Sequence, residues 1–115
     1  MRHSKITIDV QMDQKNHPNS IAWTATDSSI KEAQQAKAMM LAFWDEQKKS
    51  MLHIDLWTKE MTVDEMAEFY YQMMSTMADT FSRATAHKEF VTHMKDAANG
   101  FHKKYVELRN KEMKS

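Results

Sequence analysis

Ile6, Ile8, Val10 and Met12 alternate with Lys5, Thr7, Asp9 and Gln11, the period of a strand with one face buried, so residues 4 to 12 are expected to be extended. Asp13 to Asn19 holds the only proline and two asparagines. It reads as a hairpin loop leading to a second strand that turns Ile21, Trp23 and Ala25 inward. After a loop at Asp27-Ser28-Ser29, residues 30 to 36 are polar and support at most a single helical turn. Ala38 to Trp44 is apolar without alternation, as in a strand buried on both faces or a piece of core helix. A strand is preferred, because alternation returns in Met51 to Trp57 beyond the polar stretch Asp45 to Ser50. Met39, Leu41, Phe43, Leu52, Ile54 and Leu56 then share one face. Met40, Ala42, Trp44, Met51, His53, Asp55 and Trp57 share the other, which is too apolar for water.

From residue 61 the period becomes 3.6. Thr62 followed three residues later by Glu65 is a capping box, with Met61 and Met66 as its hydrophobic staple. Asp64, Glu65 and Glu68 place negative charge at the positive end of the helix. Val63, Met66, Tyr70, Met73, Met77, Phe81 and Ala84 form its apolar stripe. Thr85 is expected to cap a second helix with the stripe Phe90, Met94, Ala97, Ala98, Phe101, Tyr105 and Leu108 and a weak point or kink at Asn99-Gly100. Strands followed by helices predict an α+β fold: a four-stranded antiparallel sheet of two hairpins, then a two-helix hairpin packed on one face. The whole of 1–115 is expected to be a single domain, with strands over about 4–58 and helices over about 62–112. At this length about two thirds of the chain's accessible area, roughly 13,000 Å², should leave water on folding.

Composition mainly excludes. With no cysteine there is no disulfide framework, thiol catalysis or cysteine-based zinc site, and with one glycine there is no glycine-rich phosphate loop. Sixteen basic against sixteen acidic side chains leave no net field to gather nucleic acid. No apolar run is long enough to span a bilayer and the N-terminus lacks a signal-peptide pattern, so a cytoplasmic protein is expected.

Of the six histidines, only His53 shares a strand face with a second ligand type, Asp55. A third ligand is not indicated, and residues two apart on a strand diverge, so neither a metal site nor a catalytic pair is expected. Asp79 and Arg83 read as a surface ion pair on one helix. The twelve methionines are the compositional oddity. Most read as core filler, but Met74 beside Tyr71 lies off the main stripe, where a wet patch would be a partner surface. The basic tail from His102 to Lys114 reads as a solvated helix face.

Trp23-Thr-Ala-Thr-Asp27, Lys37-Ala-Met-Met-Leu41, Ile54-Asp-Leu-Trp-Thr-Lys-Glu-Met61, Val63-Asp-Glu-Met66 and Met77-Ala-Asp-Thr-Phe81 with Arg83-Ala-Thr85 resemble, in order and spacing, the GldC family, small soluble proteins associated with gliding motility in Bacteroidota. The resemblance runs over about residues 4 to 85. It implies a cytoplasmic accessory role beside the gliding and type IX secretion machinery, with no catalytic residue or cofactor to carry over. Two departures stand out: Ser28-Ser29 where the family pattern leads to a glycine pair, and a longer, more basic tail after Tyr105.

These readings predict a non-enzymatic adaptor or scaffold acting through other proteins of a motility or secretion assembly, without cofactor, metal, nucleic acid or membrane span. The candidate protein interface is Met40, Trp44, Met51, His53, Trp57, Tyr71 and Met74, and self-association is expected through the sheet face the helices leave uncovered. The alternatives are a SecB-like chaperone for unfolded polypeptides, suggested by the order of strands and helices, and a metal or small-ligand binder using His53 and Asp55.

Overall fold

The computed structural model describes residues 2–114. It divides into two compact units meeting at Met61 and Thr62, strands in the first and helices in the second. The first holds β1 (Ile6–Met12), β2 (Pro18–Ala25), β3 (Gln34–Ala36), β4 (Ala38–Trp44) and β5 (Met51–Trp57), and the second holds α1 (Val63–Ala84) and α2 (Lys88–Lys114).

The alternation in β1 and β2 does what its period requires. Antiparallel pairing sets Ile6 opposite Ala25, Ile8 opposite Trp23 and Val10 opposite Ile21. These six side chains therefore share one face. Thr7, Asp9 and Gln11 face the other way, where the Ser20 hydroxyl donates to Gln11 Oε1 at 3.3 Å. The loop between the strands turns on Asn16, whose φ of 62° is a left-handed conformation that asparagine tolerates. Beyond β2, the Ser28 N–H donates to the Ala25 carbonyl at 3.1 Å and its hydroxyl accepts from Ile30 N–H at 3.1 Å. Ser28 thus closes this turn.

The expected single four-stranded sheet is not formed. The strands make a three-stranded sheet, β1-β2-β3, and a separate two-stranded sheet, β4-β5. Residues 34 to 36, in the polar stretch whose sequence supports at most a single helical turn, instead pair with β2: Ile21 opposite Ala36, Ala22 opposite Gln35 and Trp23 opposite Gln34. One residue, Lys37, separates β3 from β4, and there the pairing partner changes from β2 to β5. Its carbonyl accepts both the Thr58 N–H at 2.7 Å and the Thr58 hydroxyl at 2.9 Å, and Thr58 is buried. Two donors from β5's end hold the bend, so the extended segment divides its edge pairing between two partners.

In the helical unit the capping box forms as expected. Glu65 N–H donates to Thr62 Oγ1 and Thr62 N–H donates to Glu65 Oε1, both at 3.1 Å. Thr62→Ala is expected to cost about 1 kcal/mol, because an orphan N–H at the helix start loses its acceptor. An unchanged melting curve followed by circular dichroism would refute this.

Thr85 closes α1 instead of opening α2. Its N–H and hydroxyl both donate to the Phe81 carbonyl, at 2.9 and 3.0 Å, and α2 begins three residues later at Lys88. Nor does Asn99-Gly100 interrupt α2, which is a single helix of 27 residues. A Cβ at Gly100 would meet nothing within 4 Å, so no close approach requires glycine there.

The seam between the helices follows the predicted stripe on α2 and only part of it on α1. It is marked by buried Ala78 and Ala98, by Tyr71 stacked on His102 with centroids 4.4 Å apart, and by Phe81 near Phe90 at 6.1 Å. At one end Asp64 accepts from the Tyr105 hydroxyl and pairs with Arg109 at 2.7 Å. On α1 the seam follows Asp64, Tyr71, Ala78 and Phe81. Of the predicted stripe, Phe81 joins the seam, whereas Val63, Tyr70 and Met77 lie one residue before Asp64, Tyr71 and Ala78, about 100° around the helix, and are 81%, 40% and 54% exposed. Alanines let two backbones approach closely, which large side chains prevent. The expected Asp79–Arg83 pair is likewise replaced: Asp79 bonds Lys95 of α2 at 3.1 Å, and Arg83 donates to Thr80 Oγ1 at 3.3 Å.

Candidate functional site

The β4–β5 hairpin carries the densest set of sequence-predicted interface residues. Asp45 shapes its turn by accepting from Gln47 and Lys48 N–H at 2.9 and 3.2 Å, and Lys49 takes a left-handed φ of 52°. The resulting register sets Trp44 opposite Met51, Ala42 opposite His53, Met40 opposite Asp55 and Ala38 opposite Trp57. Directly opposed residues share a face, so Met40, Trp44, Met51, His53 and Trp57 lie together as the alternation requires. Trp44, Met51 and Trp57 are 71%, 57% and 58% exposed. The opposite face pairs Phe43 with Leu52, Leu41 with Ile54 and Met39 with Leu56, and Phe43, Leu52 and Ile54 leave about half of their surface in water. Both faces of this hairpin therefore offer apolar surface.

His53 and Asp55 do not diverge. Nδ1 of His53 lies 2.5 Å from Asp55 Oδ2, because the two side chains stand on the same side of the strand and lean together in solvent. No group of three or more His, Cys, Asp or Glu able to hold a metal gathers among the described residues.

Tyr71 and Met74 belong to the helical unit, apart from the hairpin set. Tyr71 is half-buried against His102, which assigns its ring to the helix seam, and half-buried Met74 follows one turn later. Nearby, the Asp64 carboxylate, by accepting the Tyr105 hydroxyl hydrogen, raises the Tyr105 phenol above its ordinary value, with burial adding to the effect.

At the end of β5, sequence reasoning missed three residues. Thr58 is the buried donor to Lys37 described above, Lys59 Nζ pairs with Asp13, and Asp13 also accepts from Lys15 and His17 N–H at 2.8 and 2.9 Å. A cleft of about 240 Å³ opens beside them, lined by His17, Pro18, Asp55, Leu56, Trp57, Thr58 and Lys59. Asp13 and Lys59 are 46 positions apart, so no local pattern announces the pair. Asn16 near the loop's only proline was the available sign that Asp13 organises a turn.

The bond from Lys59, then the backbone N–H of His17, lowers the Asp13 carboxyl to about 2. A carboxyl whose pKa is lower folded than unfolded stabilises the fold above its unfolded value, and that contribution is lost as pH falls through the folded one. Stability should therefore fall between about pH 4 and pH 2, and Asp13→Asn should flatten the fall. Urea titrations across this range showing equal slopes for the two proteins would contradict it.

The class these features define is an α+β protein of antiparallel strand hairpins and a long helical hairpin, with exposed aromatic surface on one strand pair. The model of the gliding motility-associated GldC-like proteins matches residues 18–107, and the chain belongs to that family. The match begins at β2 and extends well into α2, further toward the C-terminus than the motifs quoted above. No curated protein and no solved structure matches the chain. Among the described residues no helix is long and apolar enough to cross a membrane.

Proposed function

We propose that this GldC-like protein is a non-catalytic adaptor of a gliding motility or associated secretion assembly, and that its β4–β5 hairpin engages a folded protein partner. The observation carrying this reading is the trio Trp44, Met51 and Trp57, more than half exposed on one strand-pair face. Water opposes such exposure, with Trp44 and Met51 paired at one end of the hairpin and Trp57 at the other, and aromatic and methionine side chains are enriched at interface centres. The chain's net charge of zero leaves shape and apolar contact, with His53 and Asp55 as polar markers, to select the partner.

Crosslinking of the full-length protein in gliding cells, followed by capture under denaturing conditions, tests this. One stoichiometric folded component of the motility machinery, lost with Trp44→Glu together with gliding, is the expected result. Many unfolded clients in place of one partner would overturn it in favour of a chaperone. Unimpaired gliding with Trp44→Glu would also overturn it.

A further inference from the structure

We propose that two copies of the chain associate through the open edges of their β5 strands, antiparallel and centred on Ile54, to form a continuous four-stranded sheet β4-β5-β5-β4. In the described structure β5 bonds to β4 alone, so its outer edge presents unpaired N–H and C=O groups. Edge strands are ordinarily protected by proline, lysine, a bulge or brevity. Met51–Trp57 has no proline, lysine or bulge and runs seven residues in unbroken register, and its one carboxylate, Asp55, is a residue the pairing below engages. A two-stranded hairpin is also marginal in water by itself.

The sequence of β5 is self-complementary about Ile54. In a twofold antiparallel pairing at that centre, each His53 faces Asp55 of the second copy, each Leu52 faces Leu56 and each Met51 faces Trp57, with Ile54 meeting its own counterpart. The charged pairs are opposite in sign, and the rest are apolar or aromatic contacts that stabilise sheets. Centring on Asp55 would oppose two carboxylates, and centring on His53 would set Met51 against Asp55. Only the Ile54 register matches charge with charge and apolar with apolar.

Zero net charge leaves self-association unopposed by long-range repulsion. The dimer does not rest on the adaptor reading: it uses the backbone edge of β5, where Met51 and Trp57 meet across the axis, whereas Trp44 stands on β4 away from that edge, so either association can fail alone.

The chain has no cysteine, so single cysteines report the register. Across the proposed axis the Cα atoms of residue 54 lie about 4.5 to 5.5 Å apart, within disulfide range. Those of residue 52 lie roughly 13 Å apart along the strands. Mild oxidation of full-length protein should crosslink Ile54→Cys and leave Leu52→Cys monomeric on denaturing gels. If Ile54→Cys folds poorly, an equimolar mixture of His53→Cys and Asp55→Cys should give the crosslinked heterodimer. Light scattering of the unaltered protein at micromolar concentration should give twice 13.5 kDa. His53→Asp should weaken the dimer at least tenfold, and adding Asp55→His should restore it. A monomer mass, equal crosslinking at 52 and 54, or no rescue by the exchanged pair would overturn the proposal.

Discussion

Ile21→Ala is expected to destabilise the strand unit by about 3 kcal/mol, the middle of the range for removing a buried branched side chain and leaving a cavity. Ile21 is 1% exposed and is the largest fully buried side chain among the described residues. It stands in the middle strand of its sheet, opposite Val10 on one side and Ala36 on the other. Its loss therefore weakens two ladders at one point, and no other large side chain among the described residues is fully buried to compensate. Ile6→Ala is the control: Ile6 shares the face but is 70% exposed, and should change stability by under about 0.5 kcal/mol. Chemical denaturation of both variants separates the cases. Equal midpoints would mean that the sheet does not depend on Ile21.

Trp44→Glu should leave the fold intact and weaken partner binding by about 2 kcal/mol or more, roughly thirtyfold. At 71% exposure, the indole contributes little to the monomer, so its removal opens no cavity. Buried at an interface centre it would lose its largest apolar contact, and the introduced carboxylate would have to be desolvated without a partner. Titration calorimetry against the crosslinked partner gives the affinity, and circular dichroism gives the melting temperature. Loss of affinity with an unchanged melt is the expected pattern. A lowered melt with unchanged affinity would make Trp44 a structural residue.

What the sequence by itself determined here is what a short window of chain can encode. The period of two gave β1, β2 and the two faces of β4–β5, the change to 3.6 located both helices, and the spacing of Thr62 and Glu65 fixed where α1 begins. Each of these depends on residues within a few positions of one another, where steric preference and local hydrogen bonding decide. The family was legible too, because its motifs are contiguous blocks.

The tertiary structure decided which elements meet. Gln34-Gln35-Ala36 has no strand signature, yet becomes β3 because the β2 edge supplies its hydrogen bonds. Thr58 holds the bend at Lys37 from 21 positions away, and Lys59 reaches Asp13 across the hairpins. On α1 the apolar stripe brought Phe81 to the seam, but Val63, Tyr70 and Met77 lie about 100° from it, and the close approach falls at Ala78, with Asp64 finding Tyr105 and Arg109. Hydrophobicity is a property of each residue, but close packing and long-range pairing belong to two surfaces at once. A pattern read along one segment cannot specify the shape of the surface it will meet.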